Sequence, residues 1–375
     1  MVFIAILLAL SALAYVVTIL MFSIGWQRVF KQSSYASHFC CKSSVTVVVP
    51  FRNEERNLSG LVACLRNQEL DSSQLDVILV NDGSTDDSLG IATALAHGDS
   101  LFRVISLPFG LAGKKSALQH ALQFATGDYV MLFDADSTVP SSWLREMLCF
   151  ADSQGLTLLQ GPVDVLGVRL GLLQTLEYAA LSASTAGGFG VGMPIMASSA
   201  NLLVRRSVFA TPRDVFKSHI PSGDDMFLLH YVKGLPNAKM GYLLSAGAMA
   251  STLASSSPFV QRLRWAGKAP AYTDRQTIAI GATVLMINLL LVVGAIFTSF
   301  YCKALFPLFV LVWSVKVAVD LLLVYPHLKF LNRRGLVWLF IPLQVIYPIY
   351  VVVTVFVSLL IPVYKWKSRR IMASS

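Results

Sequence analysis

Charge is scarce in this sequence. Charged residues make up 14% of the 375, against 55% hydrophobic, where an ordinary soluble chain carries about 25% charged. Mean hydropathy is +0.63. A chain so poor in charge is not wholly dissolved in water, and part of it belongs in lipid. Low-complexity tracts and internal repeats are missing, and the apolar content excludes intrinsic disorder. The cysteines Cys40, Cys41, Cys64, Cys149 and Cys302 are odd in number and form no CxxC pair. That argues against a disulfide-stapled secreted domain and for a reduced, cytoplasm-facing region. No soft-metal site is offered by the Cys and His inventory. No basic run is interleaved with aromatics, and no zinc-finger or RNA-binding signature is present, so nucleic acid is not an expected partner. The net charge of +9 instead fits basic residues flanking membrane segments.

The apolar residues are segregated along the chain. Val2 to Ile24 is nearly uncharged and is followed by Arg28, Lys31 and Lys42. Residues 1–25 therefore read as a transmembrane helix with the following residues in the cytoplasm. Residues 43–276 read as one cytoplasmic region. Short apolar runs (Val45–Val49, Val77–Val80, Arg103–Ser106, Tyr129–Phe133) alternate there with helical patterns (Asn57–Asn67, Ser88–Ala96, Lys114–Phe124). That alternation predicts an α/β fold on a mostly parallel sheet. The Gly-, Ala- and Ser-rich stretch Ser182–Asn201 reads either as a flexible active-site loop or as close packing against the membrane. Residues 277–363 form a C-terminal membrane region of two or three apolar segments, Ile278–Phe300, Ala304–Tyr325 and Val337–Ile361. The last holds Pro342 and Pro348 and reads as a kinked span or as a broken segment in the interface. Residues 364–375 are a basic tail. Lys316 and Asp320, at i,i+4 inside the third apolar segment, read either as a self-neutralised pair or as a contact for an acceptor phosphate or headgroup.

Polar clusters stand at the ends of the predicted strands. The first strand ends in Pro50-Phe51-Arg52-Asn53-Glu54 and the second in Asn81-Asp82-Gly83-Ser84-Thr85-Asp86. Ligands bind at such carboxyl ends in open α/β sheets, although Asn-Asp-Gly alone is also an ordinary turn. The fourth strand ends in Asp134-Ala135-Asp136, two carboxylates suited to Mg²⁺ or Mn²⁺. Lys114 and Lys115 open a helix without Walker P-loop spacing, where lysine opposes the helix dipole unless an anion offsets it. Gly223-Asp224-Asp225 precedes a helical pattern and reads as a cap or as a general base. Gln261-Arg262-Leu263-Arg264-Trp265 reads as an interfacial anchor, or as an arginine for phosphate oxygens with an aromatic platform for a sugar.

Taken in order, these six motifs resemble the membrane-bound family 2 glycosyltransferases, the group of cellulose and hyaluronan synthases and ceramide glucosyltransferase-like enzymes. The resemblance covers about residues 43–270. It implies a GT-A fold that transfers sugar from a nucleotide diphosphate sugar with inversion, using Mg²⁺ or Mn²⁺. It places Pro50, Glu54, Asp82, Lys114 and Asp134 on the donor side, with Asp136 and Asp134 at the metal. Asp225 matches the general base, with Asp224 beside it, and Gln261, Arg264 and Trp265 match the diphosphate and acceptor contacts. One departure is that Gly223-Asp224-Asp225 stands where Thr-Glu-Asp is usual, and Asp224 is shorter than Glu. The expectation is an integral membrane enzyme with a cytoplasmic catalytic domain and a lipid or lipid-linked acceptor. A processive polysaccharide synthase is the alternative, and a nucleotidyltransferase or a non-enzymatic scaffold fits the motif set less well.

Overall fold

The computed structural model describes residues 2–34, 42–169, 171–211, 213–220, 222–360, 363–366 and 369–372. Cys40, Cys41 and Lys367 lie outside the described residues. The elements run α1 (Val2–Ser33), β1 (Val45–Phe51), α2 (Leu58–Arg66), β2 (Leu75–Asn81), α3 (Ser88–Ala96), β3 (Phe102–Ser106), α4 (Lys114–Leu122), β4 (Tyr129–Leu132), β5 (Ser137–Thr138), α5 (Trp143–Gln154), β6 (Leu158–Gln160) and β7 (Val163–Leu166). They continue through α6 (Gly171–Gly190), β8 (Leu202–Arg205), α7 (Asp224–Lys233), β9 (Met240–Tyr242), β10 (Ala250–Leu253), α8 (Pro258–Ala266), α9 (Arg275–Phe300), α10 (Phe306–Phe330), α11 (Val337–Leu360), β11 (Val363–Trp366) and β12 (Arg369–Met372). Two compact units result. An α/β unit draws on residues 29–166 and 196–253, and a helical unit on residues 1–28, 167–195 and 254–364. The sequence between 43 and 276 is thus shared by both.

The α/β unit is built on a seven-stranded sheet in the order β3-β2-β1-β4-β8-β6-β9. β3, β2, β1 and β4 pair in parallel. β8 runs antiparallel between β4 and β6. The central strands are apolar on both faces because helices cover both. Val47, Val48, Val49, Ile78, Leu79, Val130 and Met131 are fully buried, each contributing roughly 1.5–3 kcal/mol over an exposed position. Thr46 is the polar exception in β1. Its hydroxyl accepts from the backbone N–H groups of Thr126 and Gly127, at 3.1 and 3.0 Å. Gly127 has no alternative there, because a Cβ would stand 2.6 Å from the Thr46 nitrogen. The strand order reverses between β1 and β4, so the loops after their carboxyl ends diverge and leave a crevice.

Among the described residues, four helices are long and apolar enough to cross a membrane, Ala5–Ser33, Arg275–Phe300, Lys303–Phe330 and Arg334–Leu360. α11 is one continuous helix with Pro342 and Pro348 inside it, rather than a broken segment. The first part of the glycine-rich stretch, 182–190, is helical because α6 runs to Gly190, and the remainder, 191–201, is not helical. A Cβ on Gly187 would collide with the Phe22 carbonyl, one on Gly190 with the Gly25 carbonyl, and one on Gly25 with the Gly187 carbonyl. Small residues are what let two backbones approach this closely.

Lys316 and Asp320 face the interior of the helical unit. Lys316 Nζ donates to Asp320 Oδ2 and to Gln344 Oε1, each at 2.7 Å. Gln344 Nε2 donates to Asp320 Oδ2 at 2.9 Å, and the Tyr15 hydroxyl donates to Asp320 Oδ1 at 2.6 Å. The charged pair therefore has partners on α1 and α11, which identifies it as a self-neutralised pair within the bundle. Polar groups in such surroundings must be satisfied internally.

Candidate active site

The crevice of the α/β unit gathers polar residues from β1, β2, β4, α4 and α7. At its base Arg52 follows β1 and is buried. Its guanidinium donates to the carbonyls of Asp82, at 2.7 Å, and Gly83. Asn53 takes a left-handed backbone conformation with φ of 53°. Its side-chain oxygen accepts from the Thr85 backbone at 2.8 Å. These bonds tie the Pro50–Glu54 segment to the Asn81–Thr85 turn, so the first two motifs form one structure. Glu54 is buried and accepts from the Asn57 side chain at 2.6 Å, while its backbone N–H donates to Ser88 Oγ at 2.7 Å. Pro50 lies within β1 itself.

Asp82 is buried, and its Oδ1 accepts from the Gly113 backbone N–H at 2.8 Å. Gly113 stands at φ 97°, a conformation that other residues rarely adopt, immediately before α4. The second motif therefore fixes where α4 begins, and with it the position of Lys114.

Lys114 joins three motifs. Its Nζ donates to Asp134 Oδ1 at 2.6 Å and to Ser199 Oγ at 2.7 Å, across 20 and 85 residues of chain. Asp224 Oδ2 lies 3.4 Å away. Burial alone would lower the Lys114 ammonium. The charges of Asp134, Asp224 and Asp225 outweigh it and hold the group above its ordinary value. Lys115 does different work. Its ammonium is buried, donates to the carbonyls of Lys217 and Ile220 at 3.1 and 2.8 Å, and lies 4.7 Å over the Phe227 ring. It anchors the segment leading to Asp224 and Asp225.

Four carboxylates thus face one ammonium. Asp136 is open to solvent by surface area. Even so, the surrounding protein mass, and after it the Asp134 charge, push its carboxyl up to about 6 against the lowering pull of Lys114. That excess of acid suits a cation. Among the described residues no group of three or more His, Cys, Asp or Glu side chains could hold a metal. Asp134 and Asp136 would supply two hard oxygen ligands at most, with the remainder from outside the protein. Mg²⁺ and Mn²⁺ are commonly held in this way, by one or two carboxylates plus substrate phosphates and water.

Asp224 and Asp225 open α7 after Gly223, which is left-handed at φ 87°. Asp224 is buried toward Lys114. Asp225 is less buried, and its Oδ1 accepts from the Met226 N–H at 2.7 Å. The two adjacent acids are therefore differently placed, Asp224 in the ionic cluster and Asp225 at the helix terminus.

Gln261, Arg264 and Trp265 lie on α8 in the helical unit. Gln261 Oε1 accepts from Gln174 Nε2 on α6 at 2.9 Å. The buried arginine of this segment is Arg262, which pairs with Glu177 at 2.9 Å and lies 4.2 Å over the Trp265 ring. Burial raises the Glu177 carboxyl above its ordinary range, with Arg262 pulling the other way. Arg264 is half-buried.

Ser199 lies within the Ser182–Asn201 stretch that reads as an active-site loop or as close packing against the membrane, whereas nothing in the local sequence marks Glu177 or Gln174. Sequence reasoning named Arg52 and Arg262 only as members of their motifs. Both are arginines beside the motif residues, and a buried arginine needs partners.

Residues 46–176 match the family Glycosyl transferase family 2. Over 97 residues the chain is 35% identical to a prophage bactoprenol glucosyl transferase homolog of Escherichia coli (strain K12), covering 26% of this chain and 31% of that protein. Over 101 residues it is 35% identical to an undecaprenyl-phosphate 4-deoxy-4-formamido-L-arabinose transferase of Sodalis glossinidius (strain morsitans), covering 26% and 30%. The chain spans under a third of the length of these curated relatives. Among solved structures, the mannosyltransferase PcManGT from Pyrobaculum calidifontis, in complex with GDP-Man and Mn²⁺, aligns with a TM-score of 0.52. The alignment covers 93% of this chain and 99% of that one at 16% identity. That likeness is one of fold, and the α/β unit is GT-A-like.

Proposed function

We propose that this chain, which carries a glycosyl transferase family 2 domain over residues 46–176, transfers a sugar from a nucleotide diphosphate sugar to a lipid-linked acceptor with inversion. The observation that carries the reading is Lys114. One ammonium binds the acids of two separate motifs, Asp134 beyond the carboxyl end of parallel strand β4 and Asp224 at the start of α7, where a diphosphate donor is expected. Relatives named for bactoprenol and undecaprenyl-phosphate, together with four candidate membrane helices among the described residues, support a lipid-linked acceptor, read here as one that presents a sugar hydroxyl. The basic residues after the first apolar helix support a cytoplasmic catalytic face.

In this mechanism Asp225 takes the proton of the acceptor hydroxyl as its oxygen attacks the anomeric carbon. The bond from that carbon to the diphosphate oxygen breaks on the opposite face, which inverts the configuration. Asp225 suits the role because it is partly accessible at the start of α7. Lys114 holds Asp134 and Asp224 in place, and Glu54 and Asp82 stand on the nucleoside side. Arg264 takes phosphate oxygens of the leaving diphosphate, where charge develops, and Trp265 lies on the acceptor side. Asp136 and Asp134 are the residues that would hold Mg²⁺ or Mn²⁺, which when bound neutralises diphosphate charge.

The test is a nucleotide-sugar panel with purified protein in detergent plus total lipid extract. Released nucleoside diphosphate and one labelled glycolipid in equal amounts are expected. A ladder of long products would replace this reading with a processive synthase. Pyrophosphate release without sugar transfer would replace it with a nucleotidyltransferase.

A further inference from the structure

The α8 segment holds an arginine, Arg262, to which the motif assigns no role, and it is the more buried of the two arginines there. Arg262 is 7% exposed. It pairs with Glu177, lies over the Trp265 ring, and hydrogen-bonds the Tyr350 side chain. On α6, Gln174, Glu177 and Tyr178 share a face at i, i+3 and i+4. On α8, Gln261, Arg262 and Trp265 share the opposing face. Three links join them. Gln174 Nε2 donates to Gln261 Oε1 at 2.9 Å, Glu177 and Arg262 form an ion pair at 2.9 Å, and the Tyr178 and Trp265 rings stand 6.3 Å apart at 59°.

We propose that Glu177 and Arg262 are positioning residues that fix the plane of the Trp265 ring for the sugar acceptor. This rests on the reading of Trp265 as an acceptor-side group. An indole on a surface helix can turn about two side-chain bonds. Here a planar guanidinium covers one part of the ring and is itself held in orientation by a carboxylate from another helix. Arginine suits this arrangement because its flat cation stacks and hydrogen-bonds at once, which lysine cannot do. The pairing also separates the two arginines by role. Glu177 engages Arg262, and the phosphate role stays with Arg264.

The test uses the full-length protein in detergent with Glu177→Gln, Arg262→Met, Arg262→Lys and the charge-reversed pair Glu177→Arg with Arg262→Glu. Steady-state kinetics, thermal unfolding and the near-UV circular dichroism of Trp265 are read for each. The last is taken as the difference from the same chain carrying Trp265→Phe. The two single neutral variants are expected to raise acceptor KM about tenfold or more, with donor KM near wild type and the Trp265 dichroism lost. Arg262→Lys should fall between. The reversed pair should regain thermal stability but not acceptor KM, because a carboxylate over an indole face is repelled. The proposal is overturned if the neutral variants leave acceptor KM and the Trp265 dichroism at wild type. It is equally overturned if the reversed pair restores acceptor KM along with stability, which would make the pair a structural bolt. If Trp265→Phe itself has a wild-type acceptor KM, the acceptor-side reading of Trp265 fails. The dichroism alone then reports whether Glu177 and Arg262 orient the ring.

Discussion

The Lys114 ammonium lies 2.6 Å from Oδ1 of Asp134, and the same nitrogen reaches Ser199 and Asp224. A hydrogen bond to a charged group contributes about 1.5–3 kcal/mol. Lys114→Met removes several at once and leaves four clustered acids without their cation. It should lower thermal stability measurably and reduce sugar transfer at least as much as Asp134→Asn does. Unfolding by differential scanning fluorimetry and turnover on the best donor of the panel check both halves. A Lys114→Met protein with wild-type turnover would remove Lys114 from the site.

The adjacent acids should separate by readout. Asp225→Asn should lower kcat by about 10²–10⁴-fold, the usual worth of a general base, with donor affinity near wild type. Asp224 belongs to the ionic cluster, so Asp224→Asn should disturb donor affinity and stability as well. An inactive Asp224→Asn beside an active Asp225→Asn would reverse the two assignments. Activity in both would reduce the pair to a helix cap.

Metal binding should follow protonation of Asp136. Its carboxyl is pushed up to about 6, so above that pH it is ionised and open to a cation, and below it a proton competes. Mn²⁺ affinity, read by electron paramagnetic resonance, should be flat above about pH 6 and fall about tenfold per unit below it. Asp136→Asn should abolish the pH dependence and most of the binding. EDTA should stop transfer, and Mg²⁺ or Mn²⁺ should restore it.

The crossing of α1 and α6 gives a prediction of stability rather than chemistry. Gly187→Ala puts a Cβ against the Phe22 carbonyl and should cost about 1–3 kcal/mol, the usual range for overpacking. Gly281→Ala on α9 meets nothing within 4 Å and should be neutral or mildly stabilising. Thermal unfolding in detergent compares the two. Equal effects would mean that the close approach is not maintained in the protein.

Lys316 and Asp320 should behave as a unit. Lys316→Met leaves a buried carboxylate without its cation and should cost about 3–5 kcal/mol. Lys316→Met with Asp320→Leu removes both charges and should recover most of the loss. A double variant no more stable than the single would show that Asp320 contributes through Tyr15 and Gln344 instead.

The sequence by itself determined β1–β4 and α2–α4 closely, because buried parallel strands must be apolar throughout and helices must repeat at 3.6 residues, whereas the short strands β6, β8 and β9 that complete the sheet are too brief to carry such a pattern. The run Val45–Val49 and the pattern Ser88–Ala96 needed no tertiary information. The strand-end motifs were legible for a related reason. Pro50–Glu54, Asn81–Asp86 and Asp134–Asp136 interrupt apolar runs with polar groups that a buried strand would not tolerate. Only the tertiary structure decided which of these groups meet. Gly113 joins Asp82, Lys114 joins Asp134 to Ser199 and Asp224, and Arg262 rather than Arg264 is the one locked by Glu177. Those pairings depend on chain segments as far apart as Lys114 and Asp224, and a carboxylate carries no mark of the cation it will face. Ser182–Asn201 shows the same division. Its small residues permitted either an active-site loop or close packing against the membrane, and the structure divides it: Gly187 and Gly190 press against the Phe22 and Gly25 carbonyls of another helix, while Ser199, in the non-helical remainder, meets Lys114.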